Sequence, residues 1–78
     1  MDKSLVKALH VIETLAFSET PRGVSELAKE LGYQKSNVHR ILNTLLEQGY
    51  VVRFDVGSLY QLNYKLFEIG LRVVSRLR

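Results

Sequence analysis

The stretch Val24–Tyr50, VSELAKELGYQKSNVHRILNTLLEQGY, decides the fold. Its first part reads as a short helix ending at Leu31. Ser25 is a good N-cap, and Glu26 puts a carboxylate in the first turn, where the helix dipole favours negative charge. Leu27, Ala28 and Leu31 form an apolar stripe. Gly32 has no Cβ and so stops a helix in the left-handed region without a clash. Tyr33 and Gln34 complete the turn. A second helix is expected over 35–48, with Val38, Ile41, Leu42, Leu45 and Leu46 on one side and Gly49 as its stop. A small residue at Ala28, a tight turn and two branched anchors at Val38 and Ile41 make the skeleton of a helix-turn-helix.

Working outward, residues 4–17 are expected to form a first helix with Ser4 as N-cap. Leu5, Leu9, Ile12, Leu15 and Ala16 share one face. Ala8 and Val11 widen that surface, so this helix should meet two neighbours: the core and a second copy of the chain. SETPRG, residues 18–23, is a loop, and Val24 is read as a very short strand before the Ser25 cap. On the other side, YVVRF reads as a strand, DVGS as a turn on Gly57, and LYQL as the returning strand. Val52 and Phe54 are expected to face inward with Tyr60 and Leu62. A hairpin directly after a helix-turn-helix makes a winged helix. Tyr64–Arg78 reads as a closing helix with Leu66, Ile69, Val73 and Leu77 at helical spacing. Gly70 weakens it by roughly 1 kcal/mol relative to alanine. SRLR shows no C-cap glycine, so the helix reads as cut rather than finished. The fold class is mainly α with a small β-hairpin. Residues 1–63 form a winged helix-turn-helix, with a three-helix core plus wing, and 64–78 a linker helix.

Composition removes other function classes. The chain has 78 residues, enough for one small core, and no cysteine, which excludes disulfides and thiolate metal sites. No apolar run approaches the ~18 residues of a membrane helix, and MDKSLVKALH lacks a signal-peptide core. A cytoplasmic location is expected. His10 and His39 sit on different helices without a clustered carboxylate, so no metal is expected, and His10 reads as a plain edge residue. There is no phosphate-cradling glycine loop, nucleophile elbow or apolar carboxylate pair. Neither a cofactor nor enzymatic activity is expected.

The net charge is +3, and it is unevenly placed. Residues 1–34 carry four basic side chains against five acidic ones, and residues 35–78 carry seven against three. The positive excess begins with the second helix of the central motif, as phosphate binding would want. At 100° per residue the side of that helix opposite its apolar stripe holds Ser36, Arg40, Asn43 and Glu47, flanked by Asn37 and Thr44. Arginine pairs with guanine through two hydrogen bonds and asparagine with adenine, while serine and threonine meet bases or phosphates. Lys35 and Ser36 lie at the helix N-terminus, where unpaired amides suit a phosphate. His39 is placed beside the backbone, and Glu47 should tilt the helix end away from it. Arg22 and Arg53 are expected to hold phosphates. The rival reading is a winged-helix dimerisation or protein-interaction module working through residues 5–17 and 64–77.

The pieces SLVKALHVIETLA, VSELAKELGYQKSNVHRILNTLLEQGYV and YQLNYKLFEIG resemble the N-terminal domain of the IclR family of bacterial transcriptional regulators. KSNVHRILNTL followed by EQGYV is the most specific of these. The resemblance implies binding of double-stranded operator DNA as a homodimer. It also implies a small-molecule effector bound only by a further C-terminal domain, joined through the last helix. Lys35, Ser36, Asn37, His39 and Arg40 match the opening of the family's recognition helix. The chain departs from the pattern in the hairpin. A basic residue is usual where Leu59 and Gln61 stand, and a glycine where Asn63 stands, a position an asparagine fills by tolerating left-handed backbone. Arg53 is left as the basic residue of the hairpin.

Overall fold

Apolar stripes from three helices and one face of a hairpin meet in a single core. A computed structural model describes residues 1–77. In chain order the elements are α1 (Lys3–Ala16), α2 (Val24–Leu31), α3 (Lys35–Glu47), β1 (Val51–Phe54), β2 (Leu59–Leu62) and α4 (Lys65–Leu77). The core is Val11 and Leu15 of α1, Leu27 and Ala28 of α2, Val38, Ile41, Leu42 and Leu45 of α3, Val51 of β1 and Tyr60 of β2. Each fully buried aliphatic side chain contributes about 1.5–3 kcal/mol. Surface ion pairs contribute about 0–1 kcal/mol, so burial of these stripes, not charge pairing, sets the fold.

The turn chemistry is as the central stretch predicts. Gly32 sits at φ +73°, and the Tyr33 amide donates back to the Ala28 carbonyl (3.0 Å), closing α2 with a left-handed stop. Gly49, at φ +84°, repeats the device, with the Tyr50 amide donating to the Leu45 carbonyl (2.8 Å). Ala28 is buried where α2 meets the core.

The caps differ from expectation. Asp2, not Ser4, caps α1, its Oδ1 accepting from the Leu5 amide (3.1 Å). A carboxylate two residues earlier is the stronger acceptor at a positive helix end. Val24 is helical rather than a strand, and Gly23 takes the N-cap position in place of Ser25. Glu26 Oε1 accepts from the Gly23 amide (3.1 Å), which is half of a capping box. The short extended contact lies two residues earlier. Arg22 and Tyr60 form an isolated antiparallel bridge, each amide donating to the other's carbonyl (2.8 and 2.7 Å).

In the hairpin, β1 and β2 are antiparallel, pairing Val51 with Leu62, Val52 with Gln61, Arg53 with Tyr60 and Phe54 with Leu59. Val51 and Tyr60 are buried, whereas Phe54 is exposed. Tyr60 and Leu62 face inward as expected, but Val51 takes the place assigned to Val52 and Phe54. The bond from Tyr50 to the end of α3 sets the pleat, and a one-residue offset exchanges the two faces of a strand.

The closing helix is seen as α4. Arg78, the last residue of its predicted span, lies outside the described residues. α4 buries no side chain, although Phe67, Ile69, Val73 and Leu77 lie on it. It is held at its root. Lys65 Nζ donates to the Gln48 carbonyl (2.8 Å) and sits 4.7 Å from the Tyr50 ring centroid. Asn63 donates from Nδ2 to the Gly49 carbonyl (3.2 Å) and accepts from the Tyr64 amide (2.8 Å). Asn63 is not in the left-handed region. Ser58, in the wing turn beside Gly57, is the non-glycine residue with positive φ among those described. No helix among the described residues is long and apolar enough to cross a membrane.

Candidate nucleic-acid interface

The interface is built on the two-sidedness of α3. Val38, Ile41, Leu42 and Leu45 are its buried side. Ser36, Arg40, Asn43, Thr44 and Glu47 are exposed, and Asn37 is half-buried at their edge. The four anchors fix the rotation of the helix about its axis, so the polar side is presented outward by packing alone. Lys35 and His39 are exposed on the flank. Gln34 caps α3 through its backbone only, its carbonyl accepting from the Asn37 and Val38 amides (both 3.1 Å).

Two of these polar residues are already paired. Arg40 Nη2 donates to Asn37 Oδ1 (3.1 Å), so the two present their groups side by side. Thr44 Oγ1 donates to the Arg40 carbonyl (3.1 Å), which ties its hydroxyl to the helix backbone. Both bonds are solvent-exposed and are exchangeable for bonds to a ligand.

The two arginines expected to hold phosphates each have intramolecular partners. Arg22 is half-buried. Its Nη1 donates to Ser18 Oγ (2.9 Å) and its Nη2 to Glu30 Oε1 (2.6 Å), with Nε 3.7 Å from Glu26 Oε2. This guanidinium ties the loop before α2 to α2 itself. Arg53 donates to Asp55 Oδ1 (3.2 Å) and Ser58 Oγ (3.0 Å) across the wing turn. Arg53 is part-exposed and Asp55 wholly so, which leaves that pair open to competition.

One cluster escaped the sequence reading. His10 is not a bare edge residue. Its Nδ1 lies 2.6 Å from Tyr33 Oη, and the two rings are near-parallel end to end, with centroids 6.3 Å apart and an 11° interplanar angle. Lys7 Nζ sits 5.4 Å from the centroid of the same tyrosine. The i, i+3 spacing of Lys7 and His10 put them on one flank of α1, but nothing local to α1 says that the α2–α3 turn lies against that flank.

Comparison with known proteins places the domain. The IclR helix-turn-helix domain matches residues 4–54. The glycerol operon regulatory protein of Streptomyces coelicolor is 37% identical over 68 residues, 87% of this chain and 27% of that protein. The HTH-type transcriptional regulator KdgR of Escherichia coli is 32% identical over 74 residues, 95% of this chain and 28% of that protein. Among solved structures, an IclR family transcriptional regulator from Brucella abortus superposes with a TM-score of 0.90 at 28% identity, over 99% of this chain and 29% of that one. The Thermotoga maritima IclR gives 0.83 at 29% identity, over 97% and 30%. The chain spans under a third of the length of each of these proteins. It belongs to the IclR family, whose helix-turn-helix domain it carries in winged form.

Proposed function

We propose that α3 enters the major groove of operator DNA and that two copies of the domain read the two halves of a two-fold site. Arg40 meets a guanine edge, Asn37 and Asn43 meet adenine edges, and Ser36 and Thr44 meet bases or phosphates. Lys35 and His39 hold the phosphate backbone beside the helix, and the α3 amides add to that hold. Arg53 reaches the backbone by exchanging its bond to Asp55. Arg22 braces the motif from behind. Glu47 keeps the end of α3 clear of phosphates.

The observation that carries this reading is the pairing of a fully anchored apolar side of α3 with an outward side of hydrogen-bonding groups. The family match supports DNA binding over the protein-interaction reading. The exposed apolar residues Leu5 and Leu9 of α1 and Phe67, Ile69 and Val73 of α4 support self-association. α4 is the linker towards an effector-binding domain, in a regulator that works in the cytoplasm without catalytic activity of its own.

The test is selection of preferred sequences from a random duplex pool, followed by titration of the winner with the parent chain and with Arg40→Ala. A bidentate base contact predicts a loss of about 1–3 kcal/mol and relaxed preference at one position of each half-site. Unchanged affinity with unchanged preference removes Arg40 from the interface.

A further inference from the structure

We propose that Lys7 and His10, held by the ring and hydroxyl of Tyr33, form a DNA-phosphate anchor on α1 beside the recognition helix. The inference rests on the DNA-binding reading and adds to it a site on a helix that the reading leaves out.

The cluster lies next to the interface. Tyr33 is two residues before Lys35, the start of α3, and its amide is fixed on the end of α2 by the bond to Ala28. On the adjoining flank of the same turns of α1, Ser4, Leu5 and Ala8 line a groove whose other wall includes Arg40 and Thr44 of α3. The first turns of α1 therefore run from the tyrosine before α3 to the outward side of α3. Lys7, over the Tyr33 ring, is itself the contact at one end of this run.

The chemistry is that of a held cation. Lys7 is in none of the ion pairs among the described residues, which engage Arg22 and Arg53 instead. A lysine over an aromatic face keeps all three ammonium donors while its long stem is steadied. Ordering that stem on DNA then costs less. In the tautomer in which the Tyr33 hydroxyl donates to His10 Nδ1, the ring proton of His10 resides on Nε2, a second donor in an exposed side chain. A half-buried lysine, a tyrosine and a histidine joined in this way do not belong to the apolar core. They also lie in the part of the chain whose charge is otherwise net negative, where a phosphate contact needs a local cation.

The test uses the 78-residue chain and a labelled mixed-sequence duplex, read by fluorescence anisotropy across a potassium chloride series. Circular dichroism checks that each variant is folded. Lys7→Gln is expected to flatten the log–log salt slope by about 0.9 per protomer. Lys7→Arg restores the slope. Lys29→Gln, an exposed cation of α2 outside the cluster, leaves it at the parent value. Tyr33→Phe keeps the ring under Lys7 and removes the partner of His10, so it weakens binding while the slope stays. A Lys7→Gln slope equal to the parent's, or an equal loss in Lys29→Gln, overturns the anchor while DNA binding stands. Absence of salt-dependent binding by the parent chain overturns the anchor and the DNA reading together.

Discussion

Replacing Arg22 by glutamine is expected to lower folding stability and leave the grip on DNA unchanged. The side chain is 18% exposed, and its partners Glu30 and Glu26 are 52% and 59% exposed. Two short hydrogen bonds end on Ser18 and Glu30. A charge-assisted bond of this kind is worth ~1.5–3 kcal/mol when shielded from water. Half-exposed carboxylates bring it towards the ~0–1 kcal/mol of a surface pair. The loss is therefore set at about 1–2 kcal/mol. In a domain of this size that lowers the melting midpoint by roughly 5–15 °C. The main-chain bridge to Tyr60 survives, because it uses no side-chain atom. Thermal melts followed by far-UV circular dichroism measure the loss, and a salt series well below either midpoint measures DNA affinity. An unchanged melt together with a flattened salt slope would show that Arg22 serves phosphate rather than the fold.

Two other perturbations probe the wing and the turn. Asp55→Asn releases Arg53 from its exposed partner, so binding to duplex DNA should tighten and the salt slope steepen by up to ~0.9 per protomer; parent-like titrations would discount Arg53 as a backbone contact. Gly32→Ala places a Cβ where no atom lies within 4 Å, so its cost is purely conformational at φ +73°, about 1–2 kcal/mol by urea denaturation. A loss below roughly 0.3 kcal/mol would contradict the left-handed stop.

The elements were legible where their causes are local. Gly32 and Gly49 announce their turns because few other residues take that backbone, and Val38, Ile41, Leu42 and Leu45 announce the buried side of α3 by spacing alone. The α1 cap was misplaced by two residues because Asp2 and Ser4 are both good caps and only the geometry of the Leu5 amide chooses between them. The hairpin faces were offset because four-residue strands carry too few alternations to set their own phase; the bond from Tyr50 to α3 sets it. The candidate site was legible on α3 for the same reason that its core side was. The engagement of Arg22 with Glu30, of Arg53 with Asp55 and of Lys7 with Tyr33 was not, since pairing depends on which surfaces the fold brings together. The apolar spacing of α4 marked it as a contact surface, and its residues stay uncovered in a single copy.

The single-residue bridge between Arg22 and Tyr60 joins the loop ahead of α2 to the second strand of the wing through main-chain bonds that only a proline at either position would remove. The wing is thereby tied to the loop that leads into the helix-turn-helix, which sets the distance between the hairpin and α3. On the proposed groove-binding arrangement, a duplex whose groove width does not match that distance must itself be reshaped, so base pairs that no side chain touches would become part of what this domain selects.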